Sequence, residues 1–193
     1  MLNHLKNPKI ILASGSPRRQ QFLKEMGIDF EIRLKEIEEI FPENLKAVEI
    51  TDYLAKLKAE AFTDLAENEI LITSDTIVWH DGKAVGKPKN YEDAFAILKS
   101  FSNATHEVFT SVCFSGKGFC EVINERTKVT FTELLDHEIK FYLDNYKPFD
   151  KAGAYGIQEW IGLIGISKIE GSYTNVVGLP VEKVYHFLAN FKK

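Results

Sequence analysis

The chain has little cysteine and proline, no long apolar run and no excess of basic charge. Its 193 residues include only two cysteines and six prolines, and its formal net charge is −4. That charge argues against binding of nucleic acid through a broad basic surface. No apolar run approaches the roughly 20 residues of a membrane span, and residues 1–8 lack the hydrophobic stretch of a secretory signal. We therefore expect a cytoplasmic protein that contacts neither nucleic acid nor a membrane.

The cysteines Cys113 and Cys120 are not spaced as a CxxC motif, and they fall on a segment with the pattern of a hairpin. We interpret them as reduced thiols without a metal role. Because the net charge is negative, any phosphate site must be a local basic pocket.

No linker divides the chain into parts. It lacks Gly/Ser-rich and Pro-rich stretches, low-complexity tracts and internal repeats. With 45% hydrophobic and 12% aromatic residues, it can bury a full core. Strand-like and helix-like segments intermingle throughout, which predicts an α/β fold in a single domain over residues 1–193. The pattern predicts strands over 10–13, 30–34 and 70–79, a hairpin over 108–131, and helices over 17–26, 50–65, 90–98, 134–146 and from Pro180 onward.

The first predicted strand leads into a helix through a turn suited to phosphate. Gly15 permits a tight turn, Ser16 suits the N-cap and Pro17 suits the first helical position. Free backbone N–H groups at a helix start attract anions, and Arg18 and Arg19 add guanidinium groups that match phosphate oxygens. The alternative is an ordinary strand-to-helix turn with two solvated arginines.

One acidic residue interrupts an otherwise apolar strand. Asp75 lies within the run from Ile70 to Trp79, where a buried carboxylate needs a cation, several donors or a position facing a cleft. A carboxylate among Glu36, Glu38 and Glu39 could share Mg²⁺ or Mn²⁺ with Asp75 and a substrate phosphate. The alternatives are a loop position for Asp75 and a solvated acidic loop for the glutamates.

Two lysines are candidates for the same pocket. Lys58 lies about 40° from the apolar stripe of its predicted helix, whereas Lys56 points to solvent. Lys87, between Gly86 and Pro88, follows a tight turn at residues 81–82 that could fold it back toward the strand of Asp75. The alternatives are a Lys58 stem that lies along the edge of the core and an exposed Lys87.

A segment from Phe149 to Gln158 combines small residues with an aromatic ring and an amide. Tyr155 could stack on a base, and Gln158 could discriminate between bases by hydrogen bonding. The alternative is a glycine-rich loop that packs Tyr155 against the core.

Taken together, these motifs resemble those of the Maf family of nucleoside triphosphate pyrophosphatases over nearly the whole chain. The order of the motifs carries the resemblance. They are Leu12-Ala-Ser-Gly-Ser-Pro-Arg-Arg19, Leu54-Ala-Lys-Leu-Lys-Ala59, Ser74-Asp-Thr76, Gly86-Lys-Pro88, His106 to Val112, Asp150-Lys-Ala-Gly-Ala-Tyr-Gly-Ile-Gln158 and Gly171-Ser-Tyr-Thr-Asn-Val-Val-Gly-Leu-Pro180.

The resemblance implies two α/β lobes around an elongated mixed sheet with flanking helices and a central cleft. It implies cleavage of a nucleoside triphosphate between the α- and β-phosphates with a divalent metal. Asp75 matches the proton acceptor of the family. The matching pocket positions are Ser14, Arg18, Glu39, Lys58 and Lys87.

One branch of the family resembles this chain at three positions, Arg18, Thr76 and Gln158. That branch contains the dTTP/UTP pyrophosphatases, which are also described as Maf-like septum formation inhibitors. That match implies pyrimidine triphosphates, including modified ones, and a role in cleaning the nucleotide pool. The chain departs from the family at Glu38-Glu39, where Asp-Glu is usual. The alternatives are a non-catalytic nucleotide sensor in cell division and an enzyme that prefers purines. A homodimer is compatible with the sequence.

Overall fold

The computed structural model of the chain describes residues 8–191, which form a seven-stranded mixed sheet with flanking helices. The predicted α/β class and mixed sheet are confirmed. The strands are β1 (Lys9–Leu12), β2 (Phe30–Ile32), β3 (Glu69–His80), β4 (Lys83–Val85), β5 (Thr105–Gly116), β6 (Phe119–Phe131) and β7 (Ile166–Glu170). The helices are α1 (Pro17–Glu25), α2 (Val48–Glu60), α3 (Tyr91–Phe101), α4 (Asp136–Tyr146), α5 (Trp160–Gly165), α6 (Tyr173–Val177) and α7 (Val181–Asn190), with a 3-10 turn at Ala152–Ala154.

The chain divides into two compact units. Among the described residues, the first unit contains 8–75, 110–125 and 178–191, and the second contains 76–109 and 126–177. The strand order is β2-β1-β3-β5-β6-β7, and β4 pairs with β3 outside this path. No helix of the described part of the chain is long and apolar enough to span a membrane.

In the first unit, β1 lies between two parallel neighbours. It pairs in parallel with β2 and with β3. Strands in this position are buried on both faces, so their sequences are continuously apolar. Side chains alternate between the faces, and Ile10 and Ile70 therefore belong to one apolar cluster while Ile11 and Leu71 belong to another. The first cluster includes Leu23 of α1 and Val184 of α7, and the second includes Ala55 and Ala59 of α2.

Helix α1 begins and ends close to the predicted positions. Pro17 occupies its first turn, but the Ser16 side chain makes no capping hydrogen bond. Gly27 follows the helix with a φ of +69°, a conformation that glycine adopts without strain. Helix α2 runs over 48–60 rather than the predicted 50–65. It ends early because the chain leaves the helix and buries Phe62 in the cluster of Ala55 and Ala59.

The second unit contains its own apolar core and a tight hairpin. Asp81 and Gly82 join β3 to β4 with φ values of 48° and 74°, as the sequence predicts for an Asp-Gly turn. The Asn90 side chain accepts a hydrogen bond of 2.8 Å from the Asp93 amide, so the predicted cap of α3 is present. The core centres on Phe101, Phe131 and other buried residues of α3, α4, β5 and β6.

The glycine-punctuated stretch from Gly153 to Gly178 contains elements that sequence patterning missed. Helices α5 and α6 are short, and strand β7 pairs antiparallel with β6. Four of the five residues of β7 are exposed, so the strand has no apolar alternation that would identify it.

A buried ion pair lies at the start of β3 in the first unit. Glu69 is 7% exposed, and its two carboxylate oxygens accept hydrogen bonds of 2.9 and 3.1 Å from the Arg33 guanidinium. The Ala66 amide donates a further bond of 3.1 Å. Hydrogen bonds from Arg33 are the largest influence, and together with the other donors they lower the pKa of Glu69 to about 2.

We expect Glu69 to make the fold sensitive to acid. Its pKa in the folded state lies below its ordinary value of 4.5, so the unfolded chain binds the proton more readily. The stability that this carboxylate contributes is complete above pH 4.5 and is lost as the pH falls toward 2. Glu69→Gln should lower the free energy of unfolding by about 1–3 kcal/mol at pH 7 and flatten its decline below pH 4.5, as measured by urea unfolding across pH.

The control for this prediction is Glu67→Gln, because the Glu67 side chain is 72% exposed and pairs with Lys117 at the surface. We expect a change within about 0.5 kcal/mol. Equal effects of the two substitutions would show that the buried pair with Arg33 contributes nothing specific.

Candidate active site

Asp75 is a buried acid with one bonded and one unbonded carboxylate oxygen. It is 6% exposed on β3. Its Oδ1 accepts a hydrogen bond of 2.7 Å from Lys58 Nζ, whereas its buried Oδ2 has no hydrogen-bond partner among the described residues. A buried oxygen without a partner is costly. Oδ2 is therefore suited to bind a water, a metal ion or a substrate group.

Lys58 connects two carboxylates. It projects from α2, and its side chain is 14% exposed. Its ammonium lies 2.7 Å from Asp75 Oδ1 and 2.9 Å from Glu39 Oε1. Lys56 is exposed, so the orientations predicted from helical periodicity are both correct. Because Asp75 Oδ1 and Glu39 Oε1 contact the same ammonium, these two oxygens lie close to each other.

Arg19 joins three segments of the first unit. Its Nε donates a hydrogen bond of 2.9 Å to the carbonyl of Gly178, and its Nη1 donates bonds of 3.0 and 3.4 Å to the Ser74 carbonyl and to Ser14 Oγ. Burial lowers the pKa of Arg19, and the charge of Asp75 opposes that shift. Arg19 therefore holds the turn after β1 beside the strand of Asp75.

The start of α1, which the sequence predicts as an anion site, is basic. Its first turn contains Arg18 and Arg19 and no acidic residue. The Ser16 amide donates a hydrogen bond of 3.3 Å to Ser14 Oγ, and Ser14 is buried. Positive charge and the helix dipole coincide at this end of the helix.

In the second unit, the motifs that carry Lys87 and Gln158 are hydrogen-bonded to each other. The Gly153 amide donates a bond of 3.0 Å to the carbonyl of Gly86. Gly153 has a φ of +72°, and an added Cβ would lie 2.8 Å from Val78 Cγ2, so this contact requires glycine. Lys87 and Gln158 are both exposed, which for Lys87 is the alternative that the sequence leaves open. Thr76, the first residue of this unit, is half-buried.

The Maf-like protein family matches residues 9–191. The chain belongs to this family. A dTTP/UTP pyrophosphatase of Flavobacterium psychrophilum is 69% identical over 186 residues, which cover 96% of this chain and 95% of the relative. Another dTTP/UTP pyrophosphatase, from Flavobacterium johnsoniae, is 65% identical over 185 residues, which cover 95% of each chain. The solved structure of the Staphylococcus aureus Ham1 protein matches with a TM-score of 0.46 and 18% identity, over 66% of this chain and 72% of that one.

Tyr155 of this Maf-like chain does not present its ring to solvent. It is 6% exposed, and its hydroxyl lies 2.8 Å from His106 Nε2. Its ring packs edge-on against Phe101 and Phe131. The interpretation of Tyr155 as a base-stacking surface is therefore wrong, and the alternative of a core-packed loop is correct.

Polar contacts that the sequence does not predict hold the segment that ends at Gln158. The Tyr142 hydroxyl donates to a Glu159 carboxylate oxygen and accepts a hydrogen bond of 3.0 Å from the Gly156 amide. Lys151 Nζ lies 3.2 Å from the other Glu159 oxygen. Tyr142 lies in the helix predicted over 134–146, and helical periodicity does not predict a polar contact for it.

His106 should give the Maf-like fold a second acid sensitivity, at higher pH than Glu69. Burial, with a smaller effect from His80, lowers the pKa of His106 from 6.5 to about 3. Because the unfolded chain binds this proton more readily, stability falls as the pH decreases from 6.5 toward 3. His106→Gln should flatten that decline in urea unfolding between pH 6.5 and 4.5. An unchanged slope in the variant would contradict a neutral, buried imidazole.

The control is His186→Gln, because the His186 side chain is 64% exposed. We expect this variant to keep the pH dependence of the wild type.

Proposed function

We propose that this chain hydrolyses dTTP and UTP to the nucleoside monophosphate and pyrophosphate. The observation that carries the proposal is the carboxylate of Asp75, which is bound to Lys58 through Oδ1 and has a buried Oδ2 without a hydrogen-bond partner in residues 8–191. A binding protein needs no base at this position, whereas hydrolysis does. The names of the Flavobacterium relatives support the same activity.

In the proposed reaction, a water oxygen forms a bond to the α-phosphorus, and the bond from that phosphorus to the bridging oxygen breaks. Pyrophosphate leaves with the electrons of the broken bond. Oδ2 of Asp75 accepts a hydrogen bond from the water and takes its proton. Because Lys58 holds Oδ1, it fixes the orientation of the carboxylate and leaves Oδ2 available as the base.

Charge stabilisation contributes the larger part of catalysis in phosphoryl transfer. We assign this role to Lys58, Arg18 and Lys87, which hold phosphate oxygens as negative charge moves to the leaving group. We assign phosphate binding to the turn after β1 as well. Arg19 and Ser14 support this turn, and the Arg19 guanidinium donates a hydrogen bond to Ser14 Oγ.

A divalent cation, Mg²⁺ or Mn²⁺, fits the donors of the first unit. Asp75 and Glu39 supply carboxylate oxygens close to the Lys58 ammonium, and within the described part of the chain Asp75 Oδ2 is an acceptor without a partner. The described residues contain no group of three or more His, Cys, Asp or Glu side chains placed to hold a metal. Mg²⁺ commonly binds through one or two carboxylates, with phosphate and water completing its shell. The ion would neutralise phosphate charge and activate water.

We assign pyrimidine recognition to Thr76 and Gln158, together with Arg18, as the match to the family branch implies. An amide such as that of Gln158 can donate and accept at the same base edge. Modified pyrimidine triphosphates would satisfy the same contacts, which gives the chain a role in removing them from the nucleotide pool of the cytoplasm.

The direct test is product analysis with dTTP, UTP, CTP, ATP and GTP, in Mg²⁺ or Mn²⁺ and in EDTA. We expect monophosphate and pyrophosphate from dTTP and UTP in the presence of metal, and a loss of turnover in EDTA that added metal reverses. Release of orthophosphate would contradict cleavage between the α- and β-phosphates. Faster turnover of ATP or GTP would overturn the pyrimidine assignment, and binding without turnover would favour a nucleotide sensor.

A further inference from the structure

We propose that Thr73 is a positioning residue that sets the placement of Lys58 relative to Asp75. The proposal rests on the proposed function, because it concerns the geometry of the Lys58–Asp75 pair. Thr73 is assigned no contact with substrate or metal. It acts through helix α2.

Thr73 forms a buried hydrogen bond between β3 and α2. Its hydroxyl donates a bond of 2.6 Å to the carbonyl of Ala55, and both residues are 0% exposed. Thr73 precedes Asp75 by two residues, so the two side chains project from the same face of β3. Ala55 precedes Lys58 by three residues on α2, which is less than one helical turn. One bond therefore links the strand of the acid to the helix of the lysine beside both groups.

The apolar contacts between these elements do not fix their register in the same way. Leu71, Ala59 and Phe62 belong to one cluster with Ala55. Hydrophobic contact is non-directional, so this cluster tolerates a small slide of α2 along β3. A hydrogen bond is directional, and the branched side chain of Thr73 has few χ1 rotamers. A slide of the helix would break the Thr73 bond and lengthen the 2.7 Å contact between Lys58 Nζ and Asp75 Oδ1.

Helix α2 has a second polar link to the sheet, which lies farther from Lys58. Thr51 Oγ1 lies 2.7 Å from Ser111 Oγ, and Ser111 donates a bond of 2.6 Å to Asp52 Oδ1. Thr51 is also 0% exposed. It is seven residues before Lys58, or about 10 Å along the helix axis. Loss of this link removes a comparable buried hydrogen bond without changing the helix beside the lysine.

The test compares Thr73→Val with Thr73→Ser and with the matched control Thr51→Val. Valine preserves the shape of threonine. The Ala55 carbonyl, which loses the bond from Thr73, is still part of helix α2, so we expect Thr73→Val to fold. Because a displacement of about 1 Å can cost about 100-fold in rate, we expect Thr73→Val to lower kcat for UTP at least about tenfold with little change in KM. Thr73→Ser, which keeps the hydroxyl, should retain most of kcat. Thr51→Val should be destabilised similarly while keeping kcat.

A second measurement reports the reactivity of Lys58 and does not depend on catalytic turnover. Acetic anhydride acetylates amines that are free to react, and mass spectrometry measures the fraction of Lys58 modified. Thr73→Val should raise that fraction several-fold relative to wild type, and Thr51→Val should not. Equal kcat values and equal Lys58 acetylation in Thr73→Val and Thr51→Val would overturn the proposal. A wild-type chain that turns over none of the triphosphates would overturn the proposed function, while the acetylation result would still decide the role of Thr73.

Discussion

Asp75→Asn should lose about 100-fold to 10,000-fold in turnover of dTTP and UTP, the range expected for removal of a general base. Asparagine has the size of aspartate, and its amide oxygen can still accept the hydrogen bond from Lys58. Its amide nitrogen, in the place of Oδ2, is a donor and cannot take a proton from water. Release of pyrophosphate in single-turnover experiments measures the chemical step. Calorimetry with α,β-methylene-UTP, whose bridging carbon prevents cleavage, should show that nucleotide binding is retained.

The matched control is Asp64→Asn. The Asp64 side chain is 69% exposed and contacts Lys35 at 3.4 Å, so this substitution makes the same chemical change at the surface. We expect wild-type turnover from the control. A folded Asp75→Asn variant that turns over within about tenfold of wild type would remove Asp75 from the role of base, because tenfold corresponds to only about 1.4 kcal/mol.

The sequence predicts the parts of this site that depend on local periodicity. Asp75 is conspicuous because it is acidic within a buried run, and the structure places it there, 6% exposed. Lys58 and Lys56 differ by about 200° around a helix, which is enough to assign one to the core edge and the other to solvent. The sequence also predicts the turns at Gly27 and Gly82. Both residues have positive φ angles, which glycine adopts more readily than other residues.

Contacts between residues far apart in the chain have no such signal. The guanidinium of Arg19 reaches the carbonyl of Gly178, 159 positions away, and no spacing rule connects them. Arginine can bind phosphate or support a backbone segment, and the sequence suggests only the former. The bond from Thr73 to Ala55 is equally invisible, because a threonine in a strand is usual for its β propensity alone.

Tyr155 shows why a composition argument fails in a glycine-rich loop. Small residues permit the close approach of a ligand, but they equally permit the loop to fold its own aromatic ring into the core. The partner that decides between these outcomes is His106, which lies on β5 and bonds the Tyr155 hydroxyl. A buried hydroxyl needs such a partner, and the sequence gives no way to identify which polar residue provides it.

Lys58→Met should lower kcat/KM for UTP by about 100-fold to 1,000-fold, the size of effect that follows loss of a group that stabilises developing charge. Methionine keeps an unbranched stem as far as the ε position but lacks the ammonium that binds Asp75 and Glu39. The phosphate loses a counterion, and the carboxylate of Asp75 loses the contact that orients it. The same change leaves a buried carboxylate without this partner, so the free energy of unfolding should fall by about 3 kcal/mol. Pyrophosphate release and urea unfolding measure the two effects.

Lys56→Met is the matched control, since Lys56 lies two residues earlier on α2 and is exposed. It removes the same charge from the same helix without touching either carboxylate. We expect activity close to wild type and a change in stability within about 0.5 kcal/mol. Comparable losses in the two variants would assign the effect to the overall charge of the helix, whereas a loss confined to Lys58→Met would locate it in the bridge between Asp75 and Glu39.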